Sequence, residues 1–123
     1  MLHVLPFYVS LLGLLGVVLA VQVISLRRKH KVPLGTGGIE ELERAVRAFG
    51  NFAEYVPIAL ILLMAMELAG FGDWWIHVLG MTLLVSRGLH AYALRARSGR
   101  LRVMGMVGTF FVIIKTSISL LMM

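Results

Sequence analysis

The sequence predicts an all-α membrane protein: a four-transmembrane-helix bundle in one domain spanning residues 1–123. Three observations predict it. Of the 123 residues, 59% are hydrophobic, with a mean hydropathy of +0.91, more apolar surface than a soluble domain of this length can hide. The apolar residues fall into four long runs separated by short connections. The positive charge is also segregated: of the twelve Lys and Arg residues, only Arg87 and Lys115 lie away from a basic connection, deep within a predicted span. The rest flank two of the three connections, as the positive-inside rule requires.

The first span is predicted from Val4 to Leu26. No basic segment precedes it and no small-residue cleavage site follows, so it reads as a retained helix and not a signal peptide. The basic cluster Arg27-Arg28-Lys29-His30-Lys31 comes after it, which places that end in the cytoplasm. Pro6 sits near the helix start, where a missing N–H is tolerated. Val32 to Ile39 holds Pro33 and three glycines and reads as a loop.

A second helix is expected from Glu40 to Leu68, with the bilayer span beginning near Glu41. Glu40, Glu41 and Glu43 in its first turn suit the positive end of the helix macrodipole. Pro57 lies inside it and is expected to bend it or free a carbonyl. Ala69 to Asp73 forms a short outer turn, with Glu67 and Asp73 as its polar rim. The third span is predicted from Trp74 to Leu94, opening on the interfacial pair Trp74 and Trp75. Arg95, Arg97, Arg100 and Arg102 mark the second cytoplasmic loop, and the fourth span follows from Val103 to Leu121. Lys115 within it is expected to reach towards the outer face. Both termini are therefore expected outside.

The start of the second helix carries the chemistry. At about 100° per residue, Arg44, Arg47, Asn51, Glu54 and Ile58 fall on one side, with Tyr55 on the flank. Arginine or a carboxylate at bilayer depth costs at least roughly 2.5–3.5 kcal/mol against lipid. Such a stripe must face other helices, a wet cleft or a charged ligand. Arg27 and Arg28 from the first helix, and the Arg87–Arg102 hairpin, are expected to converge on it. The result would be a cationic pocket with one embedded carboxylate, suited to an anion that also carries an amine. Arginine grips carboxylates through two parallel donors, and Glu54 would accept an ammonium.

Three runs of residues resemble the MAPEG family, the membrane-associated proteins of eicosanoid and glutathione metabolism. They are Gln22-Val23-Ile24-Ser25-Leu26-Arg27-Arg28, Glu43-Arg44-Ala45-Val46-Arg47-Ala48 and Asn51-Phe52-Ala53-Glu54-Tyr55-Val56-Pro57. Leukotriene synthase and the microsomal glutathione transferases belong to that family. The resemblance implies a homotrimer with glutathione in clefts between subunits, open to the cytoplasm. Carried over by position, Arg27, Arg47, Asn51, Glu54 and Tyr55 would hold the glutathione backbone, with Arg44 beside them. Arg28 would sit near the reacting groups, and Arg102 would stabilise the thiolate. On the third helix the family's tyrosines are replaced by His90 and Tyr92, at a different spacing. An apolar acceptor would enter sideways from the lipid.

The expected function is thus a glutathione-dependent transferase or peroxidase of the bacterial inner membrane, acting on apolar electrophiles. The alternative is a non-catalytic lipid-binding or scaffold protein of the same fold. A small multidrug-type transporter is disfavoured, because the first span has no acidic residue. The chain has no cysteine, which removes disulfides, protein thiolates and Cys-ligated metals. His3, His30, His77 and His90 show no metal-ligand spacing, so no metal is expected. Positive-inside asymmetry accounts for the net charge of +6, and no nucleic-acid partner is expected.

Overall fold

In the computed structural model, which describes residues 1–123, the chain is four helices and no strands. They are α1 (Leu5–His30), α2 (Glu40–Leu68), α3 (Asp73–Ala96) and α4 (Gly99–Leu121). Short connections make sequential neighbours antiparallel. The loops after α1 and α3 therefore lie at one end, here termed the basic end. α2 and α3 form the middle of the bundle, while α1 and α4 do not touch each other.

Three helices, α1, α2 and α4, are each long and apolar enough to cross a membrane alone. α3 differs from expectation in this respect. Its 24 residues would reach about 36 Å at 1.5 Å per residue, long enough for a bilayer core of about 30 Å. It carries Asp73, His77, Arg87, His90 and Arg95 along that length, so its insertion depends on shelter from its neighbours.

That shelter is close packing. The α3–α4 pair meets through Gly105, where an added Cβ would lie 2.8 Å from the Ser86 carbonyl oxygen and 2.9 Å from His90. Gly108 sits directly on the Ser86 hydroxyl. On the other side of α3, the ring of Tyr8 from α1 lies over Gly80, and the Tyr8 hydroxyl bonds His77 Nδ1 at 2.8 Å. The core beneath is Leu5, Leu12, Val56, Leu63, Ile76, Leu79, Leu83 and Val112.

The helix ends follow local rules. α1 and α3 both stop on a left-handed residue, Lys31 at φ 57° and Arg97 at φ 58°. Past each, an N–H reaches back to the last turn: Val32 to the Arg27 carbonyl at 3.0 Å and Ser98 to the Ala93 carbonyl at 2.9 Å. Ser98 also caps α4, its hydroxyl accepting from the Leu101 N–H at 3.3 Å. α2 runs unbroken through Pro57, which lies on the exposed side.

At the opposite end the polar-rim reading of Glu67 is corrected. α1 has no side-chain cap of its own. Glu67, from the last turn of α2 and only 5% exposed, supplies it across the bundle. Its carboxylate accepts from the backbone N–H groups of His3 at 3.1 Å, Val4 at 2.9 Å and Leu5 at 3.1 Å. Asp73 remains exposed and pairs with His3 Nε2 at 2.8 Å. Lys115 does reach this end, its ammonium 4.6 Å from the Trp75 ring centre.

Candidate functional site

The polar stripe of α2 divides along its length, for a geometric reason. The buried seam of α2 runs through Leu42, Ala45, Ala48, Val56, Ala59, Leu63 and Met66. At about 100° per residue, Arg47 and Glu54 lie nearly opposite that seam, whereas Arg44, Asn51 and Tyr55 lie some 40–80° round towards it. Arg47 and Glu54 accordingly face away from the rest of the chain. They pair at 3.1 Å and remain 56% and 54% exposed. Arg44, Asn51 and Tyr55 are half-buried.

Each of the inward three meets a different partner. Arg44 donates to Glu40 at 2.7 Å and lines a cleft of about 700 Å³ between α1, α2 and α3. The cleft has walls of Val17, Val18, Val21 and Leu94, with Arg95, Arg97 and Glu41 also lining it. Asn51 accepts from the Arg87 guanidinium at 2.7 Å. The Tyr55 ring packs edge-on against Phe110 of α4, centroids 5.4 Å apart.

Phe110 joins the stripe to Arg102. Arg102, in the first turn of α4, is exposed and lines a shallow groove with Val103, Met106, Val107 and Phe110. The neighbouring Leu101 is half-buried, so Arg102 is the outward residue of the two. Asn51 and Tyr55 on α2 therefore meet Arg87 and Phe110, and Phe110 in turn shares the groove of Arg102 on α4.

The expected convergence of all three charged groups does not form within one subunit. The Arg27 guanidinium donates to the loop carbonyls of Val32 at 3.2 Å and Gly35 at 2.6 Å, which ties down the α1–α2 connection. Arg28 is exposed and makes no ion pair within the subunit. On α3, His90 is buried against Gly105, 2% exposed, while Tyr92 is exposed. Two residues apart on a helix means about 200°, so one subunit cannot turn both towards one cleft.

The first turn of α2 also organises the basic end. Glu40 lies 3.5 Å from Arg97 as well as contacting Arg44, and Glu41 lies 3.6 Å from His30 and 3.9 Å from Lys29. The Glu40–Arg97 and Glu41–Lys29 pairs are exposed, each worth about 0–1 kcal/mol, whereas the His30 ring is half-buried. They bring both basic hairpins onto the start of α2.

Sequence reasoning missed the role of Arg87, which it placed only in a general basic cluster. Burial of a lone guanidinium depends on which face of α3 meets α2 and α4, and periodicity does not report that. A usable signal was present nonetheless. Arg87 is the one arginine within the third predicted span, and such residues are functional by default.

Comparison with known proteins agrees with this architecture. The chain is similar to the inner membrane protein YecN of Escherichia coli strain K12, 39% identical over 103 residues, which is 84% of this chain and 79% of YecN. The same identity and coverage hold for YecN of Escherichia coli O6:H1 strain CFT073. Residues 5–122 match the MAPEG family as a whole, and the chain belongs to that family.

Proposed function

We propose that this protein is a glutathione-dependent transferase or peroxidase of the bacterial inner membrane, acting on apolar electrophiles dissolved in the lipid. The observation that carries the reading is the Arg47–Glu54 pair, which lies on α2, a helix apolar enough to cross a membrane, on the face that its own chain leaves uncovered. Lipid cannot cover it cheaply. A second copy of the chain and a zwitterionic ligand can. A homotrimer with the ligand between subunits, at the basic end, meets both needs. It would also give Arg27 and Arg28 of one subunit, and the exposed Tyr92, a route to a shared cleft that they lack in isolation.

Glutathione suits the group chemistry. Its carboxylates match Arg47 and Arg44, and its ammonium matches Glu54. The tripeptide exchanges the internal 3.1 Å pair for two pairs of the same kind. Because the chain has no cysteine, the nucleophilic sulfur must come from the ligand. A thiol near pKa 8.5 is mostly protonated at neutral pH, and the Arg102 guanidinium would favour its thiolate. That sulfur then attacks an electrophilic carbon of the lipid-borne substrate, displacing its leaving group or adding across its activated double bond. Alternatively it attacks a peroxide oxygen, breaking the O–O bond to release an alcohol and leaving a glutathione sulfenic acid that a second glutathione converts to the disulfide and water. The basic end would face the cytoplasm, where the positive-inside rule puts it.

Titration of purified protein with glutathione tests this. Wild type should bind, and Arg47→Ala and Glu54→Ala should each weaken binding at least about tenfold. Equal weak binding by all three would remove the proposal. A second reading, lipid binding without catalysis, is favoured by the cleft of about 700 Å³ with apolar walls and arginines in its lining. A thermal shift with fatty acids or lipid peroxides, and none with glutathione, would select it.

A further inference from the structure

Arg87 is 1% exposed, and no carboxylate lies against it. Its guanidinium donates to Asn51 Oδ1 at 2.7 Å and Thr109 Oγ1 at 3.4 Å, and approaches His90 Nδ1 at 3.5 Å and Met106 Sδ at 3.8 Å. Its Nε has no partner. Thr109 sends its own hydroxyl proton to the Gly105 carbonyl at 2.8 Å, so its oxygen lone pairs are left for Arg87. The neighbours of this buried cation all turn acceptors towards it.

For Asn51 this has a chemical consequence. A guanidinium can only donate. The amide atom 2.7 Å from it must therefore be the carbonyl oxygen, and the two N–H donors of Asn51 must point elsewhere. Asn51 is half-buried, one turn from both Arg47 and Glu54. An unrestrained asparagine there could offer a ligand either end of its amide.

We propose that Arg87 is a positioning residue that sets the ligand polarity of this site. By holding the Asn51 carbonyl on the buried guanidinium, it fixes the amide so that its two N–H donors are the end turned away from Arg87. The ligand must then present a carboxylate or peptide carbonyl at Asn51, and its ammonium is directed to Glu54, the carboxylate of the stripe. This deepens the glutathione reading and rests on it: the tripeptide is held in one direction along α2.

Four variants of the full chain test it, by calorimetric titration with glutathione and by unfolding of the ligand-free protein. Arg87→Gln no longer forces the amide, and its affinity should fall about tenfold. Arg87→Lys still only donates and should recover most of the loss. Asn51→Asp keeps an acceptor for Arg87 and gives it a counter-ion, so it should be at least as stable as wild type, yet bind at least tenfold more weakly. Asn51→Leu should lose both stability and binding. Wild-type affinity in Arg87→Gln or in Asn51→Asp would overturn the proposal, as would Asn51→Asp proving as unstable as Asn51→Leu. If the folded wild type does not bind glutathione, the functional reading fails and the ligand assignment falls with it. The opposite stability shifts of the two Asn51 variants then still decide whether Arg87 holds the Asn51 carbonyl.

Discussion

Replacing Glu67 should unfasten the start of α1, and the structure allows the size of the effect to be worked out. The carboxylate accepts three backbone N–H groups, from His3, Val4 and Leu5. Water can replace it at His3, which is exposed. It cannot at Val4 and Leu5, which are 5% and 2% exposed. In Glu67→Ala, two buried donors therefore lose their acceptor, at about 1–3 kcal/mol each. The favourable charge at the helix N-terminus, some 0.3–1 kcal/mol, is lost with them. The expected destabilisation is about 3 kcal/mol. Glu67→Gln keeps one acceptor oxygen, so one of the two buried donors and the charge are lost, and it should cost about 2 kcal/mol. Unfolding in detergent micelles, followed by the fluorescence of Trp74 and Trp75, measures both. Amide exchange at Leu5 supplies a local readout, since 3 kcal/mol corresponds to about a hundredfold faster opening. A Glu67→Ala protein within about 0.5 kcal/mol of wild type, with Leu5 still protected, would refute the capping argument.

Three further outcomes follow from the same contacts. Gly105→Ala places a methyl group 2.8 Å from the Ser86 carbonyl oxygen, so α3 and α4 must part, at about 1–3 kcal/mol; Gly88→Ala on α3 meets nothing within 4 Å and should gain about 0.5–1 kcal/mol from helix propensity, as paired unfolding curves would show. The pKa of His3 is raised by its hydrogen bond to Asp73 and by the Asp73 charge. A raised folded pKa means the stabilisation is complete below the unfolded value of about 6.5 and is lost as pH rises through the folded one; melting midpoints across that range should fall in wild type and stay flat in His3→Asn. Finally, Arg47→Ala and Glu54→Ala each strand one charge of the 3.1 Å pair on a face that lipid or a second copy must cover, so each should melt below wild type, and the double variant, which leaves neither charge unpaired, closer to it.

Much of the fold was legible because hydropathy and charge asymmetry are local and additive. The loop from Val32 to Ile39, the start of α2 at Glu40 and the reach of Lys115 towards the non-basic end all come from such signals, and the structure agrees with each. The site was legible only as a set of residues on one helical face. Arg47 and Glu54 could be placed together by spacing, but spacing cannot say which edge of a stripe meets a neighbouring helix. Hence Arg27, expected among the ligand-binding groups, is found bonded to loop carbonyls. Hence also His90 and Tyr92 part company.

The sequence alone determined that this is a helical membrane bundle of the MAPEG type, and which helix carries its ionic stripe. A run of apolar residues inserts wherever it occurs, and a helix keeps its own periodicity. Tertiary structure decided what each polar group touches: Glu67 capping a helix that begins 62 residues before it in sequence, Arg87 sealed against Asn51, and Arg47 and Glu54 left facing outwards. Those outcomes depend on which faces of separate helices meet, a relation between distant segments that no local pattern in the chain encodes.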